Sequence, residues 1–258
     1  MRILVVNDDG IRSEGIRVLA EVASMFGHVI VTAPAVQHSA KSQAITLRGE
    51  MTLAPYEMGL PGVEAWSLTG TPADCVRVAM ACLTPRFFKE EEREKFAPCN
   101  PEVPAGLPDV VLCGINDGMN CGYDLQYSAT VACGLEALSC GVPAVCFSMQ
   151  KGGSFQAIAP LVKSILEDLR TREIAPNELW NVNFPALPPV LLRGILYDRE
   201  PARCQIFAGH YEMTDAGDGA KTVVRTETPV LEGLPEGSDI AVCRAGYVSI
   251  GKVKHFVM

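Results

Sequence analysis

The chain has 258 residues, 48% hydrophobic and 20% charged, with a formal net charge of −8. It is long enough to bury a substantial core, too ordinary in composition for a fibre or a disordered segment, and too acidic for a general polyanion-binding surface, which needs clustered Lys and Arg. No stretch approaches the roughly 18 apolar residues of a membrane span. The opening Arg2, four apolar residues and then Asp8-Asp9 do not read as a signal peptide, so a cytoplasmic protein is expected. Ten Cys without a C-x-x-C pair fit reduced thiols, several of them small core hydrophobes, better than a zinc or redox motif.

In chain order, Arg2 to Asn7 is a short β-rich run, Ser13 to Phe26 carries Ile16, Leu19, Ala20 and Ala23 at helical spacing, and His28 to Ala33 is again strand-like. Together they fit a βαβ unit with a parallel sheet. Thr71-Pro72-Ala73-Asp74 offers an N-cap, a Pro at the first helical position and an acid at the third. Between 85 and 108 the acidic run Lys89 to Lys95 and several Pro and Gly read as a solvated surface insertion. Asp109 to Cys113 is a continuous apolar run, as in a strand covered on both faces. Tyr127 to Cys140 predicts a helix, Ala144 to Met149 a strand, Val162 to Leu169 another helix and Leu179 to Phe184 a further strand. From Pro201 helical periodicity fades. The expectation is therefore an α/β, Rossmann-like core over 1–200, with a mostly parallel sheet between helical layers, and a β-rich arm over 201–258.

Ligands of parallel α/β sheets bind outside the carboxyl ends of the strands. Three polar clusters fall there: Asn7-Asp8-Asp9-Gly10, Gln37-His38-Ser39-Ala40, and the loop Gly114 to Asn120. Asp8 and Asp9 suit an Asx turn or a helix cap. Held close, they also suit a divalent cation that neutralises both. With Ser39 and Asn116 they supply hard oxygen donors for Mg²⁺ or Mn²⁺, with Ca²⁺ also accommodated. The glycines and asparagines of GINDGMN let backbone N–H groups approach an oxyanion, or simply make a turn. Ser128-Ala129-Thr130, at a helix start, suits phosphate or plain N-capping. The four histidines show no metal-ligand spacing; His38 is notable only for abutting Ser39.

These pieces, in this order, resemble the SurE family of nucleoside monophosphate phosphatases. The resemblance is carried by MRILVVNDDGI at 1–11, TAP at 32–34, HSAKSQAIT at 38–46, GTPADCV at 70–76, GINDGMN at 114–120, YSATVACGLEAL at 127–138, WNVNFP at 180–185 and GYVSI at 246–250. It implies a Rossmann-like core with a C-terminal arm that joins dimers or tetramers. It also implies a divalent metal on Asp8, Asp9, Ser39 and Asn116, phosphate contacts from Asn120, Ser128 and Thr130, and 5′- or 3′-nucleotides or short polyphosphate as substrates. The loop before Ser39 departs from the family's frequent D-R-N-R-S-G and carries no arginine, and Ala129 stands where the family has Gly.

The expected activity is that of a metal-dependent 5′-nucleotidase, with Asp8, Asp9 and Asn120 as the catalytic set. Asp8 either orients an attacking water or itself attacks phosphorus to form an acyl phosphate. The rival of another class is a nucleotide sensor that binds with the same loops and releases no phosphate. An NAD-dependent oxidoreductase is disfavoured because NDDGIRSEG replaces G-x-G-x-x-G after the first strand.

Overall fold

The computed structural model describes residues 1–96, 103–229 and 232–256. Its elements are β1 (Arg2–Val6), α1 (Glu14–Ser24), β2 (His28–Pro34), β3 (Leu53–Tyr56), β4 (Val63–Leu68), α2 (Pro72–Val78), α3 (Thr84–Phe87), β5 (Val110–Asp117), α4 (Ala129–Ser139), β6 (Ala144–Met149), α5 (Phe155–Leu169), β7 (Glu178–Phe184), β8 (Ile195–Leu196), β9 (Phe207–Gly217), β10 (Ala220–Pro229), α6 (Asp239–Arg244) and β11 (Val248–Lys254). A π turn over Ala79–Leu83 joins α2 to α3.

One nine-stranded sheet runs β3-β4-β2-β1-β5-β6-β7-β11-β8. Its centre, from β4 to β7, is parallel, and β3 and β11 add antiparallel pairs. The apolar strands alternate between two cores, because successive side chains leave a strand on opposite faces. Ile3, Val5, Val110, Leu112, Val145 and Phe147 pack under α1 and α5. Leu4, Val6, Val111, Cys113, Ala144 and Cys146 pack under α2 and α4. This is the three-layer α/β architecture that the strand and helix alternation predicts.

The caps follow the sequence signals. Ser13, Thr71 and Ser128 cap α1, α2 and α4, and Thr71 with Asp74 forms a reciprocal capping box. Strands β3 and β4 carry no clear periodic signal. Pro55 sits in β3, which is the sheet's edge, where a missing backbone donor is tolerated.

Two segments differ from expectation. Of residues 201–258, only β9 and β10 form a separate two-stranded sheet, while β11 pairs with β7 and extends the main sheet. The reason is local: Val248 and Ile250 belong to the α1 and α5 core, so the last strand buries its face at the sheet and not in the arm. The acidic run near 90 is also not simply solvated. Glu90 reaches the buried Arg2, Glu92 lies against His28, and Phe96 is buried. The part of the expected insertion at 97–102 lies outside the described residues.

Among the described residues no helix is long and apolar enough to cross a membrane. The nine described cysteines are unpaired thiols, and Cys99 lies outside the described residues.

Candidate active site

At the carboxyl end of β1 the chain must turn within four residues, and Asn7 does the turning. Its side chain accepts from Gly10 N at 3.2 Å and donates to Gly10 O at 3.1 Å and to Ser13 Oγ at 2.8 Å. Gly10 takes φ +97°, which favours glycine. The turn and the helix cap are thus supplied by Asn7 and Ser13, and neither Asp8 nor Asp9 is spent on them. Gly15, in the first turn of α1, lies against the end of β5: a Cβ there would sit 2.0 Å from Ile115 O.

Asp8 is buried, and its Oδ1 accepts from Thr130 Oγ1 at 2.5 Å. Burial pushes its carboxyl up to about 6; the Thr130 hydrogen bond opposes the shift and the neighbouring Asp9 charge adds to it. Asp9 accepts from Gln37 Nε2 at 3.0 Å and from Asp117 N at 3.1 Å, which joins the loops after β1, β2 and β5 in one place. Among the described residues no Lys or Arg forms an ion pair with either carboxylate.

The loop after β2 is tied down at several points. His38 N donates to Asp8 O at 2.8 Å, which brings the exposed Ser39 beside the acids. Ser42 bonds the backbone of Gln126 and Tyr127, Gln43 reaches Glu136, and Thr46 donates twice to Asp74. Burial, then Lys41, pulls His38 below its ordinary value against the opposing charge of Asp74. Ala40 takes φ +56°, a conformation that favours glycine.

Asn116 is the last residue but one of β5, with its amide nitrogen on Gly118 O at 2.8 Å. In register across the sheet stand Asn116, Ser148, Asn183 and Ser249, a polar row over four strands at the carboxyl edge of the parallel sheet. Asn120 sits on this row: Nδ2 donates to Ser148 Oγ at 2.8 Å, and its backbone meets Asn181 and Asn183. Ser128 is the N-cap of α4, accepting from Val131 N at 3.1 Å. Thr130 is fully buried with its hydroxyl on Asp8, so in this arrangement it orients a carboxylate instead of standing open to a ligand.

The structure therefore brings Asp8, Asp9, Thr130 and the Ser39 loop together and sets Asn116 and Asn120 beside them on the polar row. Ser148, Asn181 and Asn183 have no role in the sequence reading. The signal for the asparagines is present in WNVNF, where alternation puts Asn181 and Asn183 on one face and Trp180, Val182 and Phe184 on the other.

A mostly parallel α/β sheet with converging oxygen-rich loops at its carboxyl edge defines a Rossmann-like protein built to bind a small polar ligand there. The family model "Survival protein SurE" matches residues 3–205. Named relatives include "5′-nucleotidase SurE 2" of Chlamydia caviae, 38% identical over 98% of this chain and 84% of the relative. "5′-nucleotidase SurE 1" of Thermus thermophilus is 35% identical over 98% and 91%. The crystal structure of the SurE protein from Aquifex aeolicus is similar with a TM-score of 0.77 at 27% identity, covering 98% of this chain and 92% of that one. The chain belongs to the SurE family.

Proposed function

We propose that this protein is a metal-dependent 5′-nucleotidase that hydrolyses nucleoside monophosphates at the carboxyl edge of its sheet. The observation that carries the reading is the carboxylate pair at the end of β1, the buried Asp8 beside the half-buried Asp9, with no ion pair to either among the described residues, in a chain whose named relatives are 5′-nucleotidases. A buried carboxylate held high by desolvation and by a second carboxylate is poised for an external cation. The donors fit a hard divalent ion such as Mg²⁺ or Mn²⁺: two carboxylates, the Ser39 hydroxyl, and an Asn116 side chain whose nitrogen is already engaged, which leaves its oxygen end for a cation. When bound, such an ion polarises the phosphoryl group and lowers the pKa of water.

The chain's own residues do the rest. Thr130 fixes the rotation of the Asp8 carboxylate, and Asp8 orients a water for in-line attack on phosphorus and takes its proton. The new P–O bond forms as the ester P–O bond breaks, and the nucleoside oxygen takes up the proton that Asp8 removed from the water as it leaves. Asn120, Ser128 and nearby backbone N–H groups hold the non-bridging oxygens, where transition-state charge accumulates. We place the reaction in the cytoplasm, where the thiols stay reduced. Tyr211, Met213 and Val223 share one exposed face of the β9–β10 hairpin, which has no core of its own, and we assign that face to contact with a second copy of the chain. Met213→Asp with Val223→Asp is expected to lower the mass measured by light scattering to that of the monomer; an unchanged mass would remove the assignment.

The decisive experiment is phosphate release from a panel of nucleoside monophosphates with Mn²⁺ or Mg²⁺, with chelator, and with Asp8→Asn. Chelator should stop release, and the substitution should lower it by at least about a hundredfold, as when one preorganised electrostatic group is removed. Nucleotide binding without release would instead establish the sensor.

A further inference from the structure

We infer that Asn183, supported by Asn181, is a positioning residue for the reaction: β7 grips the backbone of Asn120 and sets the phosphate-facing loop in register with the sheet. The inference rests on the assignment of Asn120 to the site made above. Asn183 Oδ1 accepts from Asn120 N at 2.8 Å, and Asn183 Nδ2 donates to Asn120 O at 3.0 Å. One carboxamide thus takes both polar groups of a single residue, as a neighbouring strand would. Asn181 Nδ2 adds a second donor to Asn120 O at 2.9 Å, and Ser148 holds the side chain.

The chemistry explains why residue 183 must be an asparagine. Asn120 lies beyond the end of β5, in a loop without a ladder, yet it is buried, so its N–H and C=O need partners from elsewhere. Asp at 183 would keep the acceptor and lose the donor. A Leu would lose both, leaving the buried Asn120 N–H unpaired and its C=O held by Asn181 alone. Asn183 is itself fully enclosed, and burying a carboxamide inside a sheet is unfavourable unless both of its ends are bonded. Here both ends are spent on one loop residue. Two residues of the same strand face, Asn181 and Asn183, converge on that peptide, while Val182 between them goes to the opposite core. The grip fixes Asn120 in position and rotation before substrate arrives, the condition under which a small displacement of a binding group costs about a hundredfold in rate.

The test is a double-mutant cycle in kcat with Asn183→Leu, Asn120→Ala and their combination, read beside hydrogen exchange at the Asn120 amide. Asn183→Leu is expected to speed exchange at that amide and to lower kcat by about a hundredfold. In the Asn120→Ala background the same change should cost less than about threefold, because its effect passes through Asn120. A residue that merely stabilises the fold would give the same loss in both backgrounds, or none in either, and each result would overturn the inference. Unchanged exchange at Asn120 in Asn183→Leu would overturn it too. If Asn183→Leu does not fold, Asn183→Asp enters the same cycle, with a smaller loss that must again vanish with Asn120→Ala. Wild-type turnover in Asn120→Ala alone would instead strike the assignment of Asn120 to the site, and the exchange measurement would still judge the grip.

Discussion

The two ends of β1 bury charge in opposite ways. At its start, the fully enclosed Arg2 is met by Asp109, which accepts from Arg2 Nη2 at 2.8 Å and from Arg2 N at 2.8 Å, with Glu90 on the remaining arm at 3.0 Å. At its end, five residues of strand later, the buried Asp8 has a hydroxyl and a second carboxylate beside it and, among the described residues, no ion pair. A buried charge without a partner is costly, and a protein removes that cost where nothing else will. The start of β1 is therefore closed by partners within the chain, whereas the end is where we propose that a cation binds and the chemistry takes place.

The largest effect on stability should come from the closed end. Asp109→Asn leaves the Arg2 guanidinium enclosed without its carboxylate, and breaking such a pair costs about 3–5 kcal/mol. The denaturant midpoint should fall accordingly, while the molecules that stay folded keep their turnover. Retained stability would mean that Glu90 alone compensates Arg2. At the open end Thr130→Val keeps the shape of the side chain and removes the hydrogen bond to Asp8, worth about 1.5–3 kcal/mol for a charged acceptor. Because the bond also sets the carboxylate's rotation, kcat should drop by about tenfold, with 1.4 kcal/mol for each factor of ten. Wild-type kcat in Thr130→Val would leave that hydroxyl a purely structural role.

The sheet and its helices are legible in the sequence, since short continuous apolar runs bounded by turn signals fit buried strands, and the polar loops that end them mark the carboxyl edge where we propose the site. The capping box at Thr71 and Asp74 is readable to the residue. What cannot be read is the division of labour within short motifs. In NDDG the turn falls to Asn7, whose partners Gly10 and Ser13 are local but whose choice over the two acids the motif does not show, and in SAT the threonine turns inward to Asp8, a neighbour more than a hundred residues away in the chain. The final strand escapes assignment to its sheet for a similar reason. Its partner β7 lies far back in the chain, so periodicity registers a strand without saying which sheet receives it. Nor can composition tell that the acidic run near 90 reaches in to Arg2.

An intermediate case is Asp74, a buried acid that forms no ion pair among the described residues. Burial alone would raise its carboxyl, but hydrogen bonds from Thr71 and Thr46 outweigh that and hold it below the ordinary carboxylate range. The sign of its effect follows. A group whose folded value is depressed contributes stability above the unfolded value, near 3.9 for Asp, and loses it as pH falls through the folded value. The loss should be local at first, because the donors from Thr46 anchor the far end of the loop that carries Ser39. Asp74→Asn is expected to cost about 1 kcal/mol, the usual scale of a lost helix cap, and to flatten the stability profile below pH 4 measured by urea titration. Since the loop is also held by Ser42 and Gln43, turnover at neutral pH should change less than in Thr130→Val. A larger loss of turnover in Asp74→Asn would mean that hydrogen bonds alone do not suffice to close a buried acid on this edge, and that Asp74 belongs with Asp8.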